Sequence, residues 1–187
     1  PATCQGDALP YTWVWTHFLM PAPKSEFGPD GHPKRGGFLP PILQPRRMWA
    51  GSRCSFHAPF RAGRPARKTS TIKSIAEKDG RTGPMVFVTV AHEIESAGVL
   101  AMREEQDIVY MDIPEQFRPP EPQPVPRCEH TEAIEIDPVF LFRFSALTFN
   151  GHRIHYDRPY AMEMEKYPGL VVHGPLQAIL LYEFGTR

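Results

Sequence analysis

Asn150, His152, His155 and Asp157 fall within eight residues, the densest set of chemically capable side chains in the sequence. They follow an apolar segment and precede a helix start, and a loop held by rigid neighbours is where reactive groups tend to sit. An imidazole titrates near neutrality, so His155 can take a proton from water and hand it on. Asn150 can orient a water but cannot accept its proton, and Asp157 can hold a ring or a substrate group in place. A plainer reading makes Asn150-Gly151 a tight turn and Asp157 a helix cap. Residue types alone leave both readings open. Further on, His173-Gly174-Pro175 opens an apolar run. The first amides of a helix lack internal partners and the helix dipole favours negative charge there, so Gly174 could donate to an oxyanion or simply start a helix.

Other candidates weigh less. Arg153 and Arg158 could grip a carboxylate or the phosphates of a nucleotide-like carrier, although exposed arginines beside a helix are usually solvated. Trp13, Trp15 and Phe18 could line an apolar pocket, but aromatic clusters more often form core. His57 and His92 read as strand residues without a chemical task, and Glu104-Glu105 as a solvated charge pair. No spacing of Cys and His points to a zinc or haem site.

The elements that must position these residues follow from composition and pattern. Lysine plus arginine equals aspartate plus glutamate, 21 each in 187 residues, so no overall field draws the chain to nucleic acid or an anionic membrane. Cys4, Cys54 and Cys128 are isolated, which fits a reducing cytoplasm better than a disulfide framework. No apolar run reaches the roughly 18 to 20 residues that span a bilayer. The sequence starts at Pro1 and stops at Arg187 just after an apolar run, and both ends read as cut.

Prolines crowd residues 21–45 and 114–126, where missing backbone donors oppose regular structure. The second zone predicts an extended linker over 113–127, dividing an N-terminal unit at 1–112 from a C-terminal unit at 128–187. Between the proline zones, runs at 53–60, 68–75, 85–93 and 108–112 are rich in β-branched and aromatic residues, and short turns join them. They predict an antiparallel meander of about four strands. Residues 134–145 read as strand or short helix. Residues 157–166 predict a short helix capped by Asp157, and 176–184 a second, apolar helix that belongs in a core.

Phe144-Ser-Ala-Leu-Thr-Phe-Asn-Gly-His-Arg-Ile-His-Tyr-Asp157, followed by Tyr167-Pro-Gly-Leu-Val-Val-His-Gly174, resembles the hydratase motif of the MaoC-like hotdog proteins. That motif has the form D-x-N-P-x-H-x-D, followed by G-x-x-x-H-G entering a central helix. His155 matches its histidine, Asp157 its second aspartate and His173-Gly174 its turn into the helix. Asn150 departs, standing where R-specific enoyl-CoA hydratases have a catalytic aspartate, and His152 stands in place of their asparagine. The variant is similar to the branch of mesaconyl-C4-CoA hydratases and mitochondrial-type 3-hydroxyacyl-thioester dehydratases. Arg46–Ser52, Gly83–Val90 and Asp107–Tyr110 resemble the N-terminal domain of that branch, so the likeness covers roughly residues 25–184.

The resemblance implies an α+β hotdog fold, an antiparallel sheet wrapped around a central helix, in two units of which the second and the start of the first are incomplete. It implies a hydro-lyase that adds water to an α,β-unsaturated acyl-CoA, with mesaconyl-C4-CoA giving citramalyl-CoA as the expected case. Its alternatives are a 3-hydroxyacyl-ACP dehydratase and a non-catalytic acyl-thioester binding module. His155 is then base and acid, Asn150 the water orienter and Gly174 the oxyanion donor, while Asp157, His152, Arg153 and His173 contact or support the substrate. No metal or dissociable cofactor is expected beyond the coenzyme A of the substrate. A homodimer is the expected assembly. Because the second unit lacks strands to cover its helix, apolar surface should be exposed at 176–184.

Overall fold

In the computed structural model, residues 3–19, 21–80, 83–119, 121–124 and 127–186 are described. The dominant element is a four-stranded antiparallel sheet built from β2 (Arg46–Phe56), β4 (Ala66–Gly80), β5 (Gly83–Ser96) and β6 (Val99–Met111), in the order β2-β6-β5-β4. Two short strands, β1 (Ala8–Leu9) and β3 (Phe60–Arg61), pair separately.

Strand β5 shows why these residues form a sheet. Val86, Val88, Val90, His92, Ile94 and Ser96 are buried at every second position, the period that sends alternate side chains to one face. On that face they meet Tyr110 and Ile108 of β6, which gather Leu39 and Ile42 over them. At the far end, Ile94 and Met102 pack with Val14 and Phe60.

The expected meander holds for β4, β5 and β6 but not for β2, which pairs with β6 on the opposite edge from β4. The connection 57–65 crosses the end of the sheet over three inter-strand gaps of about 4.8 Å each, well within reach of an extended chain. Strands at both edges carry similar mixed patterns, so periodicity could not rank their neighbours. Residues 81 and 82, half of the expected Gly80–Gly83 turn, lie outside the described residues. The turn at Ser96-Ala97-Gly98 is present, with Ala97 and Gly98 both at positive φ.

β6 begins well before the expected strand at 108–112, and this overturns the solvated reading of Glu104-Glu105. Consecutive strand residues face opposite sides. Glu105 meets Arg53 and Lys73 on the exposed face, whereas Glu104 is only 3% exposed. Its carboxylate accepts from Trp15 Nε1 at 3.1 Å and Ser52 Oγ at 2.7 Å.

After β6, the described residues up to 137 form neither helix nor strand. The ambiguous stretch resolves as helix α1 (Pro138–Thr148): Asp137 caps it by accepting from Phe140 N at 2.7 Å, and Pro138 suits the first turn. The expected helix at 157–166 starts as foreseen, with Tyr160 N donating to Asp157 Oδ1 at 3.1 Å, but widens into a π-helical turn at Tyr160–Met164. Helix α2 (Gly174–Gly185) follows the expected apolar run. Its Leu176 packs with Leu141 and Phe144 of α1. Exposed apolar surface is present as expected, with Leu181 at 71%, and it extends to Val139, Phe142 and Leu147 on α1. Among the described residues no helix is long and apolar enough to cross a membrane.

Candidate active site

The end of α1 sets the site. Phe149 adopts a left-handed conformation, φ 52°, which turns the chain so that Asn150 N donates to Ser145 O at 3.0 Å. Asn150 Oδ1 then accepts from His152 N at 3.1 Å, an Asx-type turn. A 3-10 turn at Arg153–His155 brings Ile154 and His155 inward.

The ring of His155 is fixed on two sides. Its Nδ1 lies 2.7 Å from the carbonyl of Val171, which can only accept, so Nδ1 carries the proton and Nε2 keeps a lone pair. Behind it, the ring of His173 stacks at 3.6 Å between centroids and 19° between planes. His173 is fully buried, and its Nε2 lies 2.8 Å from Ser145 Oγ. Burial pushes the pKa of His155 down to about 4 and that of His173 to about 3. Both rings are therefore neutral at pH 7.

His152 is held from a different quarter. Its Nε2 donates to Glu165 Oε1 at 2.9 Å, and Glu165 is 2% exposed. Arg46 of β2 completes this corner, with Nε 3.4 Å from Glu165 Oε2, a second contact to the Glu165 carbonyl, and the guanidinium over the Tyr167 ring.

The segment Asp30–His32, part of the first proline zone, also reaches the site. Gly31 (φ +87°) and Gly151 approach so closely that a Cβ on either would collide with the other's carbonyl, and Arg153 N donates to Asp30 O at 2.9 Å. This close approach puts the His32 ring 4.5 Å from that of His152. Burial pulls the His32 pKa down to about 3, so the ring is neutral. Burial opposes ionisation of Asp30, yet the His32 hydrogen bonds outweigh it and hold the carboxyl well below the usual range. Ligand atoms of Asp30, His32 and His152 lie within 4.8 Å of one another, a spacing that could hold a cation.

These pieces enclose a cavity of about 500 Å³ between the helical segment and one edge of the sheet. Asn150, His152, His155 and Gly174 line it from one side, and Arg47, Trp49, Gln106 and Ile108 from the other. Gly174 is the first residue of α2, and Pro175 after it has no amide hydrogen. A Cβ on Gly174 would run into the Trp49 ring, so glycine is required for this approach. A bulge between Trp49 and Gly51 sets the local course of the strand here.

The structure thus brings four of the seven expected residues to one cavity and excludes three. Arg153 donates from Nε and Nη2 to Asp157 Oδ2, at 2.9 and 2.7 Å, and lies over Tyr160. The i,i+4 spacing makes these two charges each other's partner. His173 is sealed behind His155 and supports it. Arg158 is exposed. Trp15 lines a smaller cavity of about 180 Å³ that shares Trp49, Gln106 and Asn150 with the main one, while Trp13 is 44% exposed and Phe18 packs on Phe60. His92 lies within reach of Ser70 and Gln106 in the sheet, without a place in the site.

Sequence reasoning missed Asp30, His32, Arg46, Arg47, Trp49 and Glu165. Only the Arg46–Ser52 stretch carried a signal, as part of the N-terminal resemblance. Asp30 and His32 sit among prolines and glycines that read as plain loop.

Residues 13–187 match the sequence profile described as hydroxyacyl-thioester dehydratase type 2. The chain belongs to that family. It is 54% identical over 181 residues to the mesaconyl-C(4)-CoA hydratase of Chloroflexus aurantiacus, covering 96% of this chain and 65% of that protein. It is 25% identical over 198 residues to the mitochondrial hydroxyacyl-thioester dehydratase type 2 of Schizosaccharomyces pombe, covering 90% of this chain and 65% of that one. The chain therefore spans just under two thirds of either relative. Among solved structures, HtdX of Mycobacterium tuberculosis superposes with a TM-score of 0.60 at 14% identity, covering 94% of this chain and 63% of that one. A MaoC-like dehydratase superposes at 0.55 with 13% identity, covering 73% and 53%. The chain thus has the α+β, MaoC-like hotdog fold.

Proposed function

We propose that the protein adds water reversibly to an α,β-unsaturated acyl-CoA, with mesaconyl-C4-CoA giving citramalyl-CoA as the favoured reaction. One observation carries this reading: His155, whose Nε2 keeps a lone pair, and Gly174, the first residue of α2, line the same cavity. His155 Nε2 takes a proton from a water that Asn150 orients. The oxygen bonds to the β-carbon, the C=C electrons move onto the thioester oxygen, and the Gly174 amide stabilises that charge. The imidazolium returns the proton to the α-carbon as the carbonyl reforms. An imidazole held near pKa 4 gives a proton back readily, which suits the second half of the step.

The proposed chemistry needs no metal or dissociable cofactor, since side chains and one backbone amide suffice. The 54% identity to a mesaconyl-C(4)-CoA hydratase supports the choice of substrate. A second reading, dehydration of a 3-hydroxyacyl thioester on acyl carrier protein, draws on the hydroxyacyl-thioester dehydratase family description and the more distant fission-yeast relative. A homodimer in the cytoplasm is part of the proposal, to be checked by mass in solution and by fractionation. The deciding assay is loss of enoyl-thioester absorbance with mesaconyl-C4-CoA, crotonyl-CoA and a crotonyl carrier protein in parallel. Binding without turnover of any of them would replace the hydratase by a thioester-binding module.

A further inference from the structure

Arg47 is the charged side chain of the cavity wall for which the proposed hydration has no use. It follows Arg46 on β2, and consecutive strand residues face opposite sides. Arg46 is ion-paired to Glu165. Arg47 makes no salt bridge among the described residues, and its electrostatic neighbours are the Tyr110 phenol, Asp30 and Arg35. Tyr110 is its cross-strand partner. The Asp30 carboxylate is already bonded by His32 N at 3.0 Å and faces His32 Nδ1 at 3.3 Å. Arg35 is a second cation, directed onto the carbonyls of Ile42, Gln44 and Pro45. Burial disfavours the charge on Arg47, yet a guanidinium stays protonated. A cation in a half-enclosed wall without a carboxylate of its own is a site for an anionic ligand.

Its position selects the anion. Arg47 and Trp49 lie two residues apart on the same face, about 7 Å along the strand. Trp49 abuts Gly174, where the thioester oxygen is placed. In a four-carbon unsaturated diacid, the free carboxyl carbon lies three carbon–carbon bonds from the thioester carbon, about 4 Å. The length of an arginine side chain closes the remaining gap. Towards Trp15, the smaller cavity holds the buried Glu104 carboxylate, which repels a second one.

We infer that Arg47 binds the free carboxylate of the acyl group and so selects mono-thioesters of dicarboxylic acids over simple acyl thioesters. This rests on the hydratase reading for where the thioester sits. The shared chemistry is an oxyanion in a guanidinium fork, and the phosphates of coenzyme A are the other source.

Equilibrium binding to the full-length protein separates them, using succinyl-CoA and butyryl-CoA. Both carry coenzyme A, both are saturated and cannot be hydrated, and they differ in a terminal carboxylate against a methyl. The wild type should prefer succinyl-CoA, and Arg47→Gln should cut that preference by about tenfold to a hundredfold, the weight of a charged hydrogen bond. Arg47→Lys, which keeps the charge without the fork, should recover part of it. The inference is overturned if the wild type shows no preference, if Arg47→Gln keeps it, or if Arg47→Gln weakens both ligands equally, which would give the guanidinium to the phosphates. A carboxylate preference that depends on Arg47 in a protein that hydrates nothing would sink the reaction and keep the site. Hydration of mesaconyl-C4-CoA indifferent to Arg47 would do the reverse.

Discussion

Two regions of the molecule use the same residue types to opposite ends. In the corner formed by Arg46, Glu165 and His152, each charge meets a partner within the chain: the guanidinium faces the carboxylate, the carboxylate takes the imidazole, and almost no water reaches any of them. Across the adjoining cavity, a guanidinium at Arg47, an imidazole at His155 and the helix start at Gly174 line one wall or another. Arg46 and Arg47 are neighbours in sequence. The difference shows that charges paired within the chain fix geometry, whereas groups that line a cavity are available to a ligand. The first region holds the second in place, because Glu165 anchors His152 and so shapes the loop that carries His155.

The largest effect should come from breaking the completed corner. Arg46→Ala leaves Glu165 buried without its cation, and the loss should be about 3–5 kcal/mol in denaturant unfolding, as for a buried pair with one partner removed. A change below about 1 kcal/mol would mean that the corner is wetter and looser than its burial implies. On the open side, His155→Ala should lower hydration turnover by about a hundredfold or more while the fold persists, which circular dichroism and turnover together would check. Near-normal turnover would remove His155 as the base.

Gly174→Ala probes the seam between the regions. The added methyl meets the Trp49 ring, so a stability loss of about 1–3 kcal/mol is expected, with a fall in turnover beyond what the lost folded fraction explains. Unchanged melting would show that Trp49 moves aside freely.

The buried histidines add a pH dependence that spans both regions. His32, His155 and His173 have folded pKa values near 3 to 4, below the ordinary value of about 6.5. Between those limits the unfolded chain binds more protons than the folded one. Stability should therefore be level above about pH 7 and decline as the pH falls through 6 towards 4. Equal unfolding free energies at pH 5 and pH 8 would contradict the burial of this histidine group. For the same reason, kcat/KM should show no acid limb near pH 6.5, because His155 remains unprotonated there.

Much of this was legible in the residues. The β-branched run in β5, the Asp157 cap and the apolar start of α2 are local patterns, and local patterns state their own geometry. The 150–155 loop was legible as a site because its residue types are unusual together and its order matches a known motif. What failed were the readings that needed a partner from elsewhere. Glu104 looked solvated until β6 extended past it and turned it towards Trp15. His32 looked like loop until two glycines let its segment press against Gly151.

The sequence by itself determined that β4 and β5 are strands, that a helix follows Asp157 and another opens near Gly174, and that one imidazole beside a helix-opening glycine could move a proton, since these depend on neighbours a few residues apart. Only the tertiary structure decided which charges are cancelled and which face the cavity. That depends on which strand lies beside β6 and how residues more than a hundred positions apart pack, and Arg46 and Glu165 have no signal in either's local surroundings to announce the other.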